Sequence, residues 1–286
     1  MVMAGKTDWP RKLFLAATLL SVLLTGAIFC FLLYFGLPLL KNGTALELMS
    51  QPWRPERGLY GIASMIRSSL ILTGLSMAIS LPMSLGASCV ITTLAPPLLR
   101  RLFLRLVRFM TSIPTVVYSF AALFLLVPLM RRLVHGSGLS LLTAAPVLAL
   151  LIAPTMIIFF VSSFTRVPRP TILAADALGA SPAQKLLHVI LPQSLPGILT
   201  GTLLGFGRAM GDTMVSLMLA GNAPAPPQAI TDPGRTLTAH IALVMAADFG
   251  SMQFKTIFVC GLILYLSTAC IMLGLRFINR LVGINA

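Results

Sequence analysis

Arg208 and Asp212 stand four residues apart in the stretch Gly201-Thr202-Leu203-Leu204-Gly205-Phe206-Gly207-Arg208-Ala209-Met210-Gly211-Asp212-Thr213. They lie in an apolar run from about Gly197 to Ala220, long enough to cross the hydrocarbon core of a bilayer. A guanidinium near the middle of such a run costs several kcal/mol unless it pairs or faces a wet cavity. On a continuous helix the i, i+4 spacing puts arginine and aspartate on one face, where each can neutralise the other. Two chemistries follow. The pair could be a closed ion bridge holding helices together, or the arginine could line a route for an anion while the aspartate keeps it poised. Intramembrane ionisable residues more often mark pathways than act as glue, which favours the second. Thr213 and Ser216, with Thr115 and Tyr118 from an earlier span, supply hydroxyls that could touch an oxyanion or simply pack. Glycines 197, 201 and 205 form an overlapping stripe that lets another helix approach closely.

The elements that must position these groups are membrane helices. Of 286 residues, 57% are hydrophobic and 10% charged, and mean hydropathy is +0.94, far beyond a soluble domain's need for apolar surface. The apolar runs Leu13–Leu40, Ser69–Leu94, Ile113–Met130, Leu139–Phe164, Gly197–Ala220 and Thr256–Phe277 predict an all-α integral membrane protein of about six transmembrane helices. Prolines at 82, 114, 128, 146 and 154 sit within or beside these spans, where neighbouring helices can satisfy freed carbonyls. Residues 1–64 read as an N-terminal segment with the first span and an external loop, and 65–280 as the main transmembrane domain. The first run is about twice as long as a signal-peptide core, so it reads as an uncleaved span.

The net charge of +14 comes without any aromatic-basic nucleic-acid signature. Its arginines cluster at helix ends, where they sort to the cytoplasmic side and meet anionic lipid. The amino terminus, second and fourth connections and tail hold Lys6, Arg11, Lys12, Arg100, Arg101, Arg105, Arg108, Arg166, Arg169, Lys185, Arg276 and Arg280. The opposite side holds fewer: Lys41, Arg54, Arg57, Arg67, Arg131, Arg132, Arg235 and Lys255. Both termini are therefore expected in the cytoplasm. Cys30, Cys89, Cys260 and Cys270 have no Cys-x-x-Cys spacing and read as free buried thiols, with no metal site. Gly5-Lys6-Thr7 imitates the end of a phosphate loop but lacks its upstream glycine and strand, so no cofactor is expected on this chain. In the long fifth connection, Asn222-Ala223-Pro224-Ala225-Pro226-Pro227 reads as stiff and extended. Thr236–Ala247 has helical spacing, as a short helix dipping back or as a surface cover. His135, His188 and His240 read as solvated or hydrogen-bonded rather than as ligands.

The fourth connection, Leu173 to Pro192, reads as a helix, a sharp turn at Gly179 and a second helix begun by Ser181-Pro182 and stopped at Pro192. It resembles the cytoplasmic "EAA" segment of bacterial ABC-importer permeases. Ala174, Ala175, Gly179, Leu191 and Pro192 fit its spacing and Val189 stands at its isoleucine position. Leu173 replaces its glutamate, and Asp176 lies one turn later. Ser112-Ile113-Pro114-Thr115-Val116-Val117-Tyr118, Gly207 to Met214, Ala220-Gly221-Asn222 and Arg235-Thr236-Leu237-Thr238 further resemble the phosphate-specific importer permeases, the PstC type more than the PstA type, over about Ile66 to Arg280. Family members carry Arg-Ala-x-Gly-Glu-Thr where this chain has Asp212.

The resemblance implies a type I ABC-importer permease fold in the bacterial inner membrane. It also implies a second permease subunit, identical or paralogous, two ATPase subunits using ATP and magnesium, and a periplasmic or surface-tethered phosphate-binding protein. The segment around Ala174, Ala175, Asp176, Gly179, Leu191 and Pro192 would couple to the ATPase, and the chain itself would not be an enzyme. Other cargoes for the same machine are molybdate, sulfate or a phosphonate. An ion-coupled secondary transporter would normally show repeats with broken helices, and no internal repeat is visible. A noncatalytic assembly or sensory membrane protein would make the Arg208 and Asp212 pair purely structural.

Overall fold

A computed structural model describes residues 9–41, 44–134 and 136–281. Lys6, the Gly5-Lys6-Thr7 triplet and His135 lie outside the described residues, as do the side chains of Lys41, Arg276 and Arg280. The first half of the chain contains α1 (Trp9–Lys41), α2 (Thr44–Ser50), α3 (Ala63–Cys89), α4 (Pro97–Ser112), α5 (Thr115–Val134) and α6 (Leu141–Thr165). The second half contains α7 (Arg169–Ala177), α8 (Pro182–Lys185), α9 (Leu191–Gly211), α10 (Met214–Leu219), α11 (Leu237–Val244) and α12 (Met252–Leu281). Among the described residues six helical stretches are long and apolar enough to cross a membrane, one overlapping each run expected from hydropathy. Among the described residues the helices are interrupted by a hairpin in the first connection, where β1 (Trp53–Arg54) pairs antiparallel with β2 (Leu59–Tyr60), and by an isolated parallel bridge between Gly221 and Gly234.

Helix α6 is the axis of the bundle, and side chains from Leu141 to Phe164 are buried along its length. Two neighbours reach it through small residues. On α3, Ser76, Ser80, Ser84 and Ser88 recur every four residues and are each 0% exposed. Ser84 and Ser88 donate to the α6 carbonyls of Ala153 (3.4 Å) and Ile157 (3.5 Å). On α9, the glycine stripe expected from the sequence faces the same helix. A Cβ on Gly201 would stand 2.8 Å from the Phe160 ring, and one on Gly205 2.7 Å from Met156 Sδ. Lipid chains are as apolar as leucine, so close backbone approach and interhelical hydrogen bonds do what burial from water does elsewhere.

The fifth connection folds back onto the start of α6 and satisfies its first amides. Leu141 and Leu142 N–H donate to the carbonyls of Asp232 (3.2 Å) and Ile230 (2.9 Å), and Ser140 Oγ accepts from Thr143 N–H. Helix α11 is inserted into the bundle rather than laid over it: Leu237, Ala239 and His240 are all 0% exposed. His240 Nε2 meets Thr256 Oγ1 at 3.2 Å, and its ring stands edge-on to Trp53 with centroids 4.3 Å apart. His240 is therefore hydrogen-bonded, as expected, but not solvated. His188 is exposed, with Nδ1 3.1 Å from the Gln184 carbonyl. Cys89 and Cys260 are half-buried and buried, whereas Cys30 and Cys270 are exposed on the bundle exterior, which corrects the expectation that all four thiols are buried.

Two measurements follow. Gly201→Ala is expected to cost about 1–3 kcal/mol through the Phe160 overlap. Gly207→Ala, with open space at its Cβ, should be neutral; thermal unfolding in detergent compares them. Burial, with Arg235 nearby, pushes the His240 pKa down to about 3, while in the unfolded chain it stays near the ordinary value of 6.5. The unfolded state therefore binds the extra proton below that value. Stability should be complete above it and fall by up to about 1.4 kcal/mol per pH unit as pH drops from 6.5 toward 3. Unfolding midpoints of wild type and His240→Asn between pH 8 and pH 5 should show this slope in the wild type and a smaller one in the variant.

Candidate functional site

Arg208 occupies the last turn of α9, and its Nη1 donates to Thr155 Oγ1 on α6 at 2.7 Å. At 1.5 Å per residue, Thr155 lies about 21 Å along α6 from Leu141 and about 15 Å from Thr165, so the guanidinium is held near mid-depth of the bundle. Arg208 remains half-buried.

Arg208 and Asp212 do not form the closed ion bridge that was one of the two readings. The run from Gly197 to Ala220 is two helices rather than one: α9 stops at Gly211, and Asp212 takes an extended conformation, φ −72° and ψ 127°. That turn removes the i, i+4 register on which pairing depended. The Asp212 carboxylate instead accepts the Val215 N–H at 2.8 Å, satisfying one of the free amides that open α10. Its carbonyl accepts Thr238 Oγ1 from α11 at 2.9 Å and Ser216 Oγ at 3.1 Å. Asp212 is thus the joint where α9, α10 and α11 meet. Among the described residues, Lys185 and Asp176 form the only ion pair.

The hydroxyl candidates separate. Ser216 is 1% exposed and its Oγ is committed to the carbonyls of Asp212 and Thr213, which makes it part of the joint. Tyr118 Oη donates to the Met110 carbonyl at 3.0 Å, bracing α5 against the end of α4. Thr213 and Thr115 are half-buried, beside the joint and at the start of α5 respectively. Thr155 was missed by sequence reasoning, since a lone threonine next to Pro154 carries no local signal and its partner is 53 residues away. Asn222 and Arg235 were also underread. Asn222 adopts φ 54° and its Nδ2 donates to the Leu217 carbonyl, while Arg235 Nε donates to the Asn222 carbonyl at 3.1 Å.

At the opposite end of α9 is the helix-turn-helix segment. Helix α7 ends in a turn with Gly179 at φ 72°, where Gly179 N–H donates to the Asp176 carbonyl and Ala180 N–H to the Ala175 carbonyl. Ser181 Oγ and the Gln184 side chain close a reciprocal capping box at the start of α8, and Lys185 Nζ grips Asp176 Oδ1 at 2.6 Å. The second helix is not stopped at Pro192. A π-turn over Leu186–Ile190 passes directly into α9, and Pro192 falls in the first turn of that new segment, where a proline is tolerated. Ala175 and Leu186 point inward, while Ala174, Asp176, Gly179 and Pro192 are exposed beside Leu173, Leu178 and Leu187. Leu191 is half-buried. The segment therefore presents a largely apolar outer face whose one carboxylate is already neutralised.

Residues 78–283 match the family described as binding-protein-dependent transport system inner membrane component. A probable ABC transporter permease protein, YqgH, of Bacillus subtilis (strain 168) is 30% identical over 276 residues, covering 94% of this chain and 89% of that protein. The phosphate transport system permease protein PstC of Pasteurella multocida (strain Pm70) is 30% identical over 245 residues, covering 79% and 76%. Among solved structures, a bacterial alginate ABC transporter chain superposes with a TM-score of 0.67 at 14% identity, covering 96% of each chain. A chain of the MetNI methionine ABC transporter gives 0.62 at 20% identity, covering 82% of this chain and all of that one. The fold is thus shared with these transporter chains, and the chain belongs to the family of inner membrane components of binding-protein-dependent transport systems, the permease subunits of ABC importers.

Proposed function

We propose that this permease subunit carries inorganic phosphate inward, with Arg208 as its anion contact at mid-depth. The observation that carries the reading is a guanidinium held by a neutral hydroxyl, with no carboxylate bridging it among the described residues. Placing an unneutralised arginine at the centre of a bilayer costs about 3 kcal/mol or more, and a water-filled path carrying an anion removes that cost. The planar fork of the guanidinium suits a tetrahedral oxyanion, and Thr155 fixes its direction. Thr213, Thr115 and Tyr118 stand as secondary contacts. The PstC relatives support phosphate over molybdate, sulfate or a phosphonate.

In the proposed assembly a second permease, identical or paralogous, closes the path. Two ATPase subunits using ATP and magnesium dock on Ala174 to Pro192, and a periplasmic or surface-tethered phosphate-binding protein delivers the anion. The α7–α8 end faces the cytoplasm of a bacterial inner membrane, as do both termini. ATP binding draws the ATPases together and pushes on the segment. Because helical hydrogen bonding continues from α8 through the π-turn into α9, that push reaches Arg208 along one rod.

Arg208→Ala is expected to abolish phosphate uptake in reconstituted vesicles while subunit assembly by gel filtration is unchanged, and Thr155→Val to lower uptake by about tenfold, the worth of one charge-assisted hydrogen bond. Unchanged uptake in Arg208→Ala would remove this residue from the route. Gly179→Asp puts a side chain at positive φ, costing about 1–2 kcal/mol, and is expected to uncouple ATP hydrolysis from uptake. Normal co-purification of the ATPase together with normal vanadate-sensitive uptake would count against the docking segment.

A further inference from the structure

Helix α4 supplies no side chain to the pathway or the docking segment proposed above, and its side chains are distributed in an unusual way. It is 16 residues long, about 24 Å, and too charged to span. Extended residues bound it at both ends: Pro96 at ψ 156° and Ile113 at ψ 126°. Leu104 and Val107 fasten it to Ile91, Ala153, Ile157 and Val161 at the end of the bundle where α3 runs out. That is also the end at which α8 meets Val90–Leu94.

Two further faces of α4 are open. Arg101, Arg105 and Arg108 recur at i, i+4 and i+7, all exposed. Leu98, Leu102, Leu106 and Phe109 form an adjoining apolar strip, exposed by 78, 49, 49 and 66%. Arg100 and Arg101 also line a cleft of about 320 Å³ with Ala95, Pro97 and Leu104. Nothing acidic in the described part of the chain answers these charges. Asp176 is taken by Lys185, and Asp212 and Asp232 are committed to backbone amides. Glu47, Glu56 and Asp248 belong to the connections at the other end of the bundle.

We propose that α4 lies in the cytoplasmic membrane interface, with its leucine and phenylalanine strip among acyl chains and its arginines on the phosphate groups of anionic phospholipids. Its sidedness rests on the orientation proposed above. An amphipathic helix with a cationic face and a broad apolar face buries the latter at the headgroup boundary. The negative surface of the cytoplasmic leaflet supplies the missing countercharge. Because α4 is fastened to α3 and α6, bound lipid would hold the base of the bundle at a fixed height while α9 moves.

The test places the photocrosslinker p-benzoylphenylalanine at Leu102 or Phe109 in the assembled importer, reconstituted in phosphatidylethanolamine vesicles containing phosphatidylglycerol. Irradiation is expected to give adducts of phospholipid mass in which phosphatidylglycerol exceeds its share of the vesicle. Arg101→Gln, Arg105→Gln and Arg108→Gln together should abolish that excess, each arginine being worth up to about fivefold. Adducts to another permease or ATPase chain would overturn the proposal. So would lipid adducts that mirror the vesicle composition with the arginines present. The readout does not involve transport, so the lipid contact and the phosphate route fail separately.

Discussion

A guanidinium cannot shed its charge inside a membrane, and the bundle is arranged around that constraint. Neither lipid nor a single threonine hydroxyl can solvate the Arg208 guanidinium fully. The geometry leaves it half-buried at the level of Thr155, with one nitrogen tied and the rest of the fork free of any carboxylate among the described residues. The break after Gly211 is what keeps it so. Had α9 continued, Asp212 would have come onto the same face and closed on the arginine. Instead the carboxylate opens α10, and the chain turns so that α11 can reach the joint through Thr238.

The close seam between α6 and α9 gives this site its mechanical setting. Glycines at 201 and 205 bring α9 against Phe160 and Met156, so the two helices touch without bulky side chains between them. The α9 rod extends back through a π-turn to a segment stiffened by the Ser181–Gln184 capping box and the Lys185–Asp176 pair. Packed helices tend to shift as units, so displacement at one end appears at the other rather than dissipating in a loop.

Periodicity made much of this visible in the sequence. Five of the six apolar runs each hold one long helix and the run from Gly197 to Ala220 breaks at Asp212, the glycine stripe named its own packing face, and Gly179 and Ser181 marked the turn and cap that the structure contains. The serines of α3 went unread although they recur at a spacing of four, because a hydropathy pattern passes over small polar residues that form a tight seam. Local patterns could not reveal the joint at Asp212, since Gly-Asp-Thr inside an apolar run reads as helix until α11 arrives from 26 residues away to bind it. Thr155 was hidden for the same reason. Helix α4 was concealed by its arginines, which a hydropathy window reads as a connection even though Pro96, Pro97 and Pro114 mark its limits.

If Arg208 contacts the transported anion, position 208 faces water in the working assembly. The most direct test of that contact is chemical accessibility. Arg208→Cys, introduced where Cys30, Cys89, Cys260 and Cys270 have been replaced by alanine, is treated in membrane vesicles with charged methanethiosulfonates and with a lipid-soluble maleimide. Ready modification by the charged reagents, at a rate comparable to a cysteine in an exposed loop, is the result this account predicts. Modification by the lipid-soluble reagent alone would place the side chain against hydrocarbon and contradict it.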